Sequence, residues 1–156
     1  MTWSDFRQAE PGLAVAVQER FESHRHAVMA TLRRDGAPRL SGMEAPIRDG
    51  HLWLAMDAVS RKTDDLRRDP RFSMHSAPDG EELSMGDARI EGRALLAADT
   101  DVVLFVQGHR FPVDDPSTMA VFTADITRVV LTRVEDRSLV VSAWTPEGGL
   151  ARTRLP

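Results

Sequence analysis

The chain has 156 residues, of which 42% are hydrophobic and 28% charged, with a formal net charge of −4. That length and balance fit one globular domain with its own core and exclude a disordered or fibrous chain. The pI of about 5.7 gives no sign of a nucleic-acid binder.

In chain order, residues 4–23 read as helical. Phe6, Leu13, Val17 and Phe21 share a face, and Pro11 with Gly12 breaks the stretch to leave a main helix of about 12–23. Asp5, Arg7 and Glu10 deny the first ten residues the form of a signal peptide, and no apolar run approaches a membrane span. The expectation is a cytoplasmic protein with no membrane and no nucleic-acid partner. His26 to Leu32 reads as a strand covered on both faces. Arg34-Asp35-Gly36 is a hairpin turn, and a strand of about 37–48 follows. Its Pro38 and Pro46 remove ladder donors, so it is an edge, bulged, or both. After Asp49-Gly50, His51–Met56 completes a three-stranded meander over 26–56.

Ser60 is an N-cap for a helix stopped by Pro70. Arg71–Ser76 and about 86–97 are strands, separated by a polar turn at 77–84. A short helix at 99–108, a loop at 109–117 and two long strands at about 119–134 and 138–145 close the domain. A tail runs from about 146 to 156. The pattern predicts one domain over 1–156, mainly β: an antiparallel barrel of six to seven strands with three short helices.

With no Cys and no Tyr, the chain has no disulfide, thiol nucleophile, cysteine-held zinc or tyrosine acid. Lys62 is the only lysine, so any Schiff-base lysine or single-lysine anion site must be Lys62. Ser60-Arg61-Lys62 places two cations at a helix N-terminus, against the macrodipole. A bound anion would resolve that conflict; equally, Asp64 and Asp65 one turn on can neutralise a solvated helix end. Ser41-Gly42-Met43-Glu44 puts a glycine in mid-strand, either for a flat ligand or for a bulge or barrel corner. His24 and His26 lack further metal ligands, while His75 and His109 are single candidates for facing a ligand. There is no G-x-S-x-G elbow, P-loop or dinucleotide fingerprint, and the three Trp are scattered.

Ala30-Thr-Leu-Arg-Arg-Asp-Gly-Ala-Pro-Arg39 resembles the first hairpin of the pyridoxamine 5′-phosphate oxidase-like split β-barrel proteins. Leu52-Trp-Leu followed by Ser60-Arg-Lys-Thr-Asp-Asp-Leu-Arg-Arg-Asp-Pro-Arg71 resembles their third strand and next helix, and Gly86–Ala94 the next barrel strand. The resemblance covers about residues 24–145, and the arginine-rich style and the Ser142–Leu150 end look like actinobacterial members. It implies a split barrel and a homodimer with two cofactor sites at the subunit interface, acting on a small-molecule substrate. The cofactor implied is FMN, or alternatively the deazaflavin coenzyme F-420; some relatives bind haem. The cofactor phosphate falls to Ser60, Arg61 and Lys62. The ring falls to Ser41, Gly42, Met43 and Glu44, with Ala55 and Met56 nearby and Arg39 beside the position where the oxidases begin their flavin contacts. Trp144 and Arg152 would reach the partner's site. The longer C-terminal substrate segment of true pyridoxamine phosphate oxidases is not matched, and Glu44 is an odd neighbour for a reduced flavin. The implied activity is a flavin-dependent oxidoreductase. The alternatives are a deazaflavin-dependent reductase, a non-catalytic cofactor-binding barrel, or a haem-binding one with His75 or His109 as axial ligand. Arg67, Arg68 and Arg71 are the cations a longer anionic tail would need; otherwise they form a solvated helix face.

Overall fold

The computed structural model describes residues 1–78, 83–109 and 112–156, so parts of the expected polar turn 77–84 and loop 109–117 lie outside the described residues. Two helices open the chain, α1 (Trp3–Ala9) and α2 (Pro11–Glu22). Thr2 and Asp5 form a capping box for α1. The break expected at Pro11-Gly12 is present, and α2 is the main helix expected over about 12–23. Pro11 begins α2 instead of merely interrupting it, because its missing N–H is not needed in a first turn.

Strands β1 (Ala27–Leu32) and β2 (Pro38–Met43) form the expected hairpin, pairing Ala27 with Met43 through Leu32 with Pro38. The stretch read as one strand over 37–48 is two. Glu44-Ala45-Pro46 leaves the ladder, and β3 (Ile47–Arg48) starts after it. β4 (His51–Asp57) does not continue a meander. It pairs with β3 on one side and with β7 (Met119–Glu135) on the other. Leu52, Leu54 and also Trp53 are fully buried, so β4 has apolar residues to hide on both faces and takes a central place. Helix α3 (Arg61–Arg68) follows with Ser60 as N-cap, then β5 (Arg71–His75), β6 (Asp87–Leu96) and α4 (Asp99–Gln107). β8 (Ser138–Thr145) and β9 (Gly149–Leu155) end the chain.

The strand order is β2-β1-β5-β6-β7-β4-β3, all antiparallel. The two ends of this path, β2 and β3, are joined by only three residues, so the sheet curls into a barrel. β7 splits it. Its Met119–Thr123 half pairs with β4, and its Val129–Glu135 half pairs with β8. Between them, Ile126 N–H donates to the Met1 carbonyl at 2.8 Å. A bulge at Glu91/Gly92 lets β6 follow β7 from Phe122 to Thr132.

The described residues thus hold nine strands and four α-helices, against the six to seven strands and three helices expected. The expected tail from 146 is in fact β9, hydrogen-bonded to β8 from Thr145–Gly149 to Leu139–Leu155. Residues 150–155 are all exposed, so no apolar alternation marked a strand.

The main core fills the barrel and runs out under α1 and α2, where Phe6 meets Trp144 at 4.8 Å between ring centroids. A second, smaller core of Trp53, Phe105 and Val121 lies where α4 packs on the outer faces of β4 and β7. β1 was expected to be covered on both faces. Met29 is fully buried, but Val28 is 39% exposed, so within one chain only the inner face is covered.

Candidate functional site

The best-formed cavity, of about 450 Å³, lies on the outer side of the barrel between the end of β2, the start of α3 and the C-terminal end of α4. Gly42, Met43 and Glu44 form one wall, Ala55 and Met119 its floor, and Lys62 stands at one side. His26, Pro46, Arg48, Phe105, Gly108 and His109 complete the lining.

The α3 end is built by capping. The Ser60 side chain accepts from the Thr63 N–H, and the Thr63 hydroxyl donates to the Asp57 carbonyl at 2.7 Å. This leaves the amides of Arg61 and Lys62 in the first turn with no intrahelical acceptor. Lys62 bends back to β2, where Nζ donates to the Gly42 carbonyl at 3.4 Å. Burial pushes the Lys62 ammonium below its ordinary pKa, because the charged form loses solvent. Arg61 is exposed on the same turn.

Gly42 has no conformational need to be glycine: a Cβ there would meet nothing within 4 Å. The alternatives of a bulge or a barrel corner therefore do not apply, since β1 and β2 pair without a register shift. The open space above Gly42 is the cavity itself. Gly108 is the opposite case. A Cβ there would collide with the Arg48 guanidinium, which is clamped by Asp49 at 2.6 Å and by the Phe105 carbonyl at 2.5 Å. Arg48 so places a cation at the negative end of α4 and against the faces of Trp53 and Phe105.

Glu44 faces Arg25, with Nε donating to Oε1 at 2.6 Å, so its charge is matched at the cavity edge.

Asp65 fixes the geometry from behind. This buried carboxylate accepts from Thr31 of β1 at 3.0 Å, Arg39 of β2 at 2.6 Å and Arg68 of α3 at 3.3 Å. Burial pushes its pKa up, but the three donors outweigh burial and hold it below the ordinary carboxylate value. It ties α3 to the β1–β2 hairpin and so sets where Lys62 stands over Gly42.

Residues 13–129 match the family described as pyridoxamine 5′-phosphate oxidase. The chain belongs to the pyridoxamine 5′-phosphate oxidase family. Solved structures share its fold. PhzG from Burkholderia lata 383, in complex with tetrahydrophenazine-1-carboxylic acid, is 13% identical, with a TM-score of 0.73 over 97% of this chain and 91% of that one. A pyridoxamine 5′-phosphate oxidase-related, FMN-binding protein from Nostoc punctiforme is 14% identical, with a TM-score of 0.67 over 94% and 96%. An F-420 reductase is 16% identical, with a TM-score of 0.56 over 73% and 93%. No curated protein matches the sequence.

Of the positions the family resemblance assigned to a cofactor, the structure gathers Gly42, Met43, Glu44, Ala55 and Lys62 around one cavity. Ser60 and Arg61 adjoin it through the α3 turn, with the Ser60 hydroxyl held in the cap. Arg39 is turned onto Asp65 and does not line the cavity, nor does Ser41, its neighbour on the same side of β2. Met56 points into the barrel core. Trp144, 3% exposed, packs on Phe6 in the core of this chain, and Arg152 binds Glu135 on the β8–β9 side. His75 is bonded to the Ser76 carbonyl at 2.7 Å and does not line the cavity, whereas His109 does.

Sequence reasoning assigned no site role to His26, Pro46, Arg48, Phe105, Gly108 or Met119. Those on α4 come to the cavity only because Phe105 packs on Trp53, a tertiary contact with no local signature. His26 carried a signal, since it immediately precedes β1, whose first residue pairs with Met43.

Proposed function

We propose that the chain is a flavin-dependent oxidoreductase that binds FMN in this cavity at a homodimer interface. One observation carries the reading: the only lysine, half-buried and close to a bare backbone glycine, borders a cavity whose space a side chain at position 42 would fill. Arg61, Lys62 and the first amides of α3 would hold the phosphate, which meets two cations and the positive helix end. Gly42 and Met43 would carry the ring, with Ala55 below it. Matching of Glu44 by Arg25 removes the objection that a bare carboxylate would face a reduced flavin. Bound FMN would supply the electron transfer to a small organic molecule.

The three arginines needed for a longer anionic tail are engaged elsewhere, which favours FMN over coenzyme F-420. Arg67 donates to the Ala58 carbonyl, Arg68 to the Leu32 carbonyl and Asp65, and Arg71 to Asp69. The homodimer is supported by the outer face of the β1–β2 hairpin. Val28, Ala30 and Leu32 there stand beside Gly42, Leu40 and Pro38, an apolar surface continuous with the cavity wall and 71% exposed at Leu40. Arg152 keeps its proposed place near the partner's site only as part of that dimer, whereas Trp144 is buried in the core of its own chain. Among the described residues, no helix is long and apolar enough to cross a membrane.

The test is titration of the purified protein with FMN, coenzyme F-420 and haemin, followed by fluorescence, absorbance and melting temperature. FMN should raise the melting temperature, and Lys62→Ala should weaken it about tenfold to hundredfold, the worth of one charge-assisted bond. A response to F-420 or haemin alone would replace FMN, and no response to any would refute the reading.

A further inference from the structure

We infer that Lys62 is a site of acylation by small anionic acyl donors, acyl phosphates above all, and that acylation shuts the cavity to its phosphorylated ligand. The inference rests on the proposed function in its second half only. Lys62 is the sole lysine, so no other side-chain amine competes for the donor. Its Nζ borders a cavity roomy enough for a donor far smaller than a nucleotide. Its one hydrogen bond among the described residues is a 3.4 Å contact to a carbonyl, with no carboxylate clamping it as an ammonium. Partial burial raises the share of the neutral, nucleophilic amine. Arg61, exposed on the same turn, and the first amides of α3 lend the surroundings positive character that draws an anionic donor.

The step balances without an oxidant. The Nζ lone pair attacks the acyl carbon, and a C–N bond forms. The C–O bond to phosphorus breaks, inorganic phosphate leaves with that electron pair, and one proton passes from nitrogen to solvent. The product is a neutral amide. It has lost the charge that would meet a phosphate, and it places an acyl group in the space beside Gly42.

The protein is incubated with acetyl phosphate at about pH 8, and with the neutral donor p-nitrophenyl acetate, and acetylation is followed by peptide mass spectrometry. The comparators are the Met1 amine, which is ion-paired with Asp125, and free Nα-acetyllysine. Lys62 should react several-fold faster than both with acetyl phosphate, and FMN or inorganic phosphate should protect it. The acetylated protein and Lys62→Gln should bind FMN about tenfold to hundredfold more weakly. Lys62→Arg, which has no amine to acylate, should be indifferent to acetyl phosphate. Reaction at Lys62 no faster than with free lysine, or undiminished FMN binding after acetylation, overturns the inference. FMN binding with slow acylation overturns the inference alone, while failure of the untreated protein to bind FMN overturns the proposed function whatever the acylation rate.

Discussion

Lys62 reaches back across 20 positions of sequence to the Gly42 carbonyl, so the sole lysine of the chain is held beside the backbone of an edge strand. What Gly42 contributes is absence of a side chain. Its surroundings would accept one, and its backbone needs no left-handed conformation. Gly42→Val should therefore fold normally, and a less flexible unfolded chain should leave stability unchanged or raised by up to about 1 kcal/mol. The same variant should lose FMN binding, because the methyl groups occupy the cavity. Thermal denaturation and FMN titration on one sample separate the two; a destabilised Gly42→Val would show that the glycine serves the fold instead.

Asp65 is the joint between α3 and the hairpin, and its removal should cost more than any surface charge. Asp65→Asn keeps the shape but leaves Arg39, whose side chain is only 20% exposed, without its carboxylate. A loss of about 3 kcal/mol is expected, as for a broken buried pair. The folded carboxyl titrates below its ordinary value, so its stabilisation is fully present above about pH 4. It disappears as pH falls from there through the lower folded value. Urea denaturation of both proteins should thus show a gap that is wide at neutral pH and closes in acid. A gap that persists unchanged in acid would mean that the ion pair is not its source.

The turn between β7 and β8 holds two non-glycine residues with positive φ, Asp136 at 48° and Arg137 at 63°. Two-residue hairpins of this kind favour Asp-Gly. Arg137→Gly should relieve about 1 kcal/mol of local strain and raise the melting temperature by about 2–4 °C. Calorimetry decides, and a lowered transition would show that the Arg137 side chain does more for the fold than its backbone costs.

Much of the fold was legible locally. Ser60 and Pro70 bracketed α3, Asp49-Gly50 made the β3–β4 turn with both φ positive, and the alternation of Ala88, Ile90 and Ala94 marked β6. What was not legible depended on partners distant in sequence. β4 looked like the third strand of a meander because nothing in its residues names β7 as its neighbour. β9 shows no apolar face because it is an exposed edge held by backbone bonds to β8. In the site, the cation turn could be read because two like charges at a helix start conflict with the dipole. Arg48 could not, since its role arises only when α4 folds back and sets the Phe105 carbonyl and the bare Gly108 against it.

The Arg25–Glu44 pair provides the last test, because it asks whether a surface ion pair matters to a ligand instead of to the fold. Both side chains are about half exposed, at 50% and 43%, so solvent screens their attraction and stability should change by less than about 1 kcal/mol on Arg25→Ala. The cavity is a different matter. Without Arg25, Glu44 keeps its negative charge at the wall where an electron-rich ring would lie. FMN affinity should fall by about threefold to tenfold, roughly 1 kcal/mol of repulsion at an interfacial dielectric. Adding Glu44→Gln to Arg25→Ala removes the unmatched charge, and affinity should return. Raising the salt concentration should narrow the difference between parent and single variant, as screening predicts. Should the double variant bind no better than Arg25→Ala, the lost affinity would stem from altered packing at the β1 approach, and Glu44 would have no electrostatic part in the site.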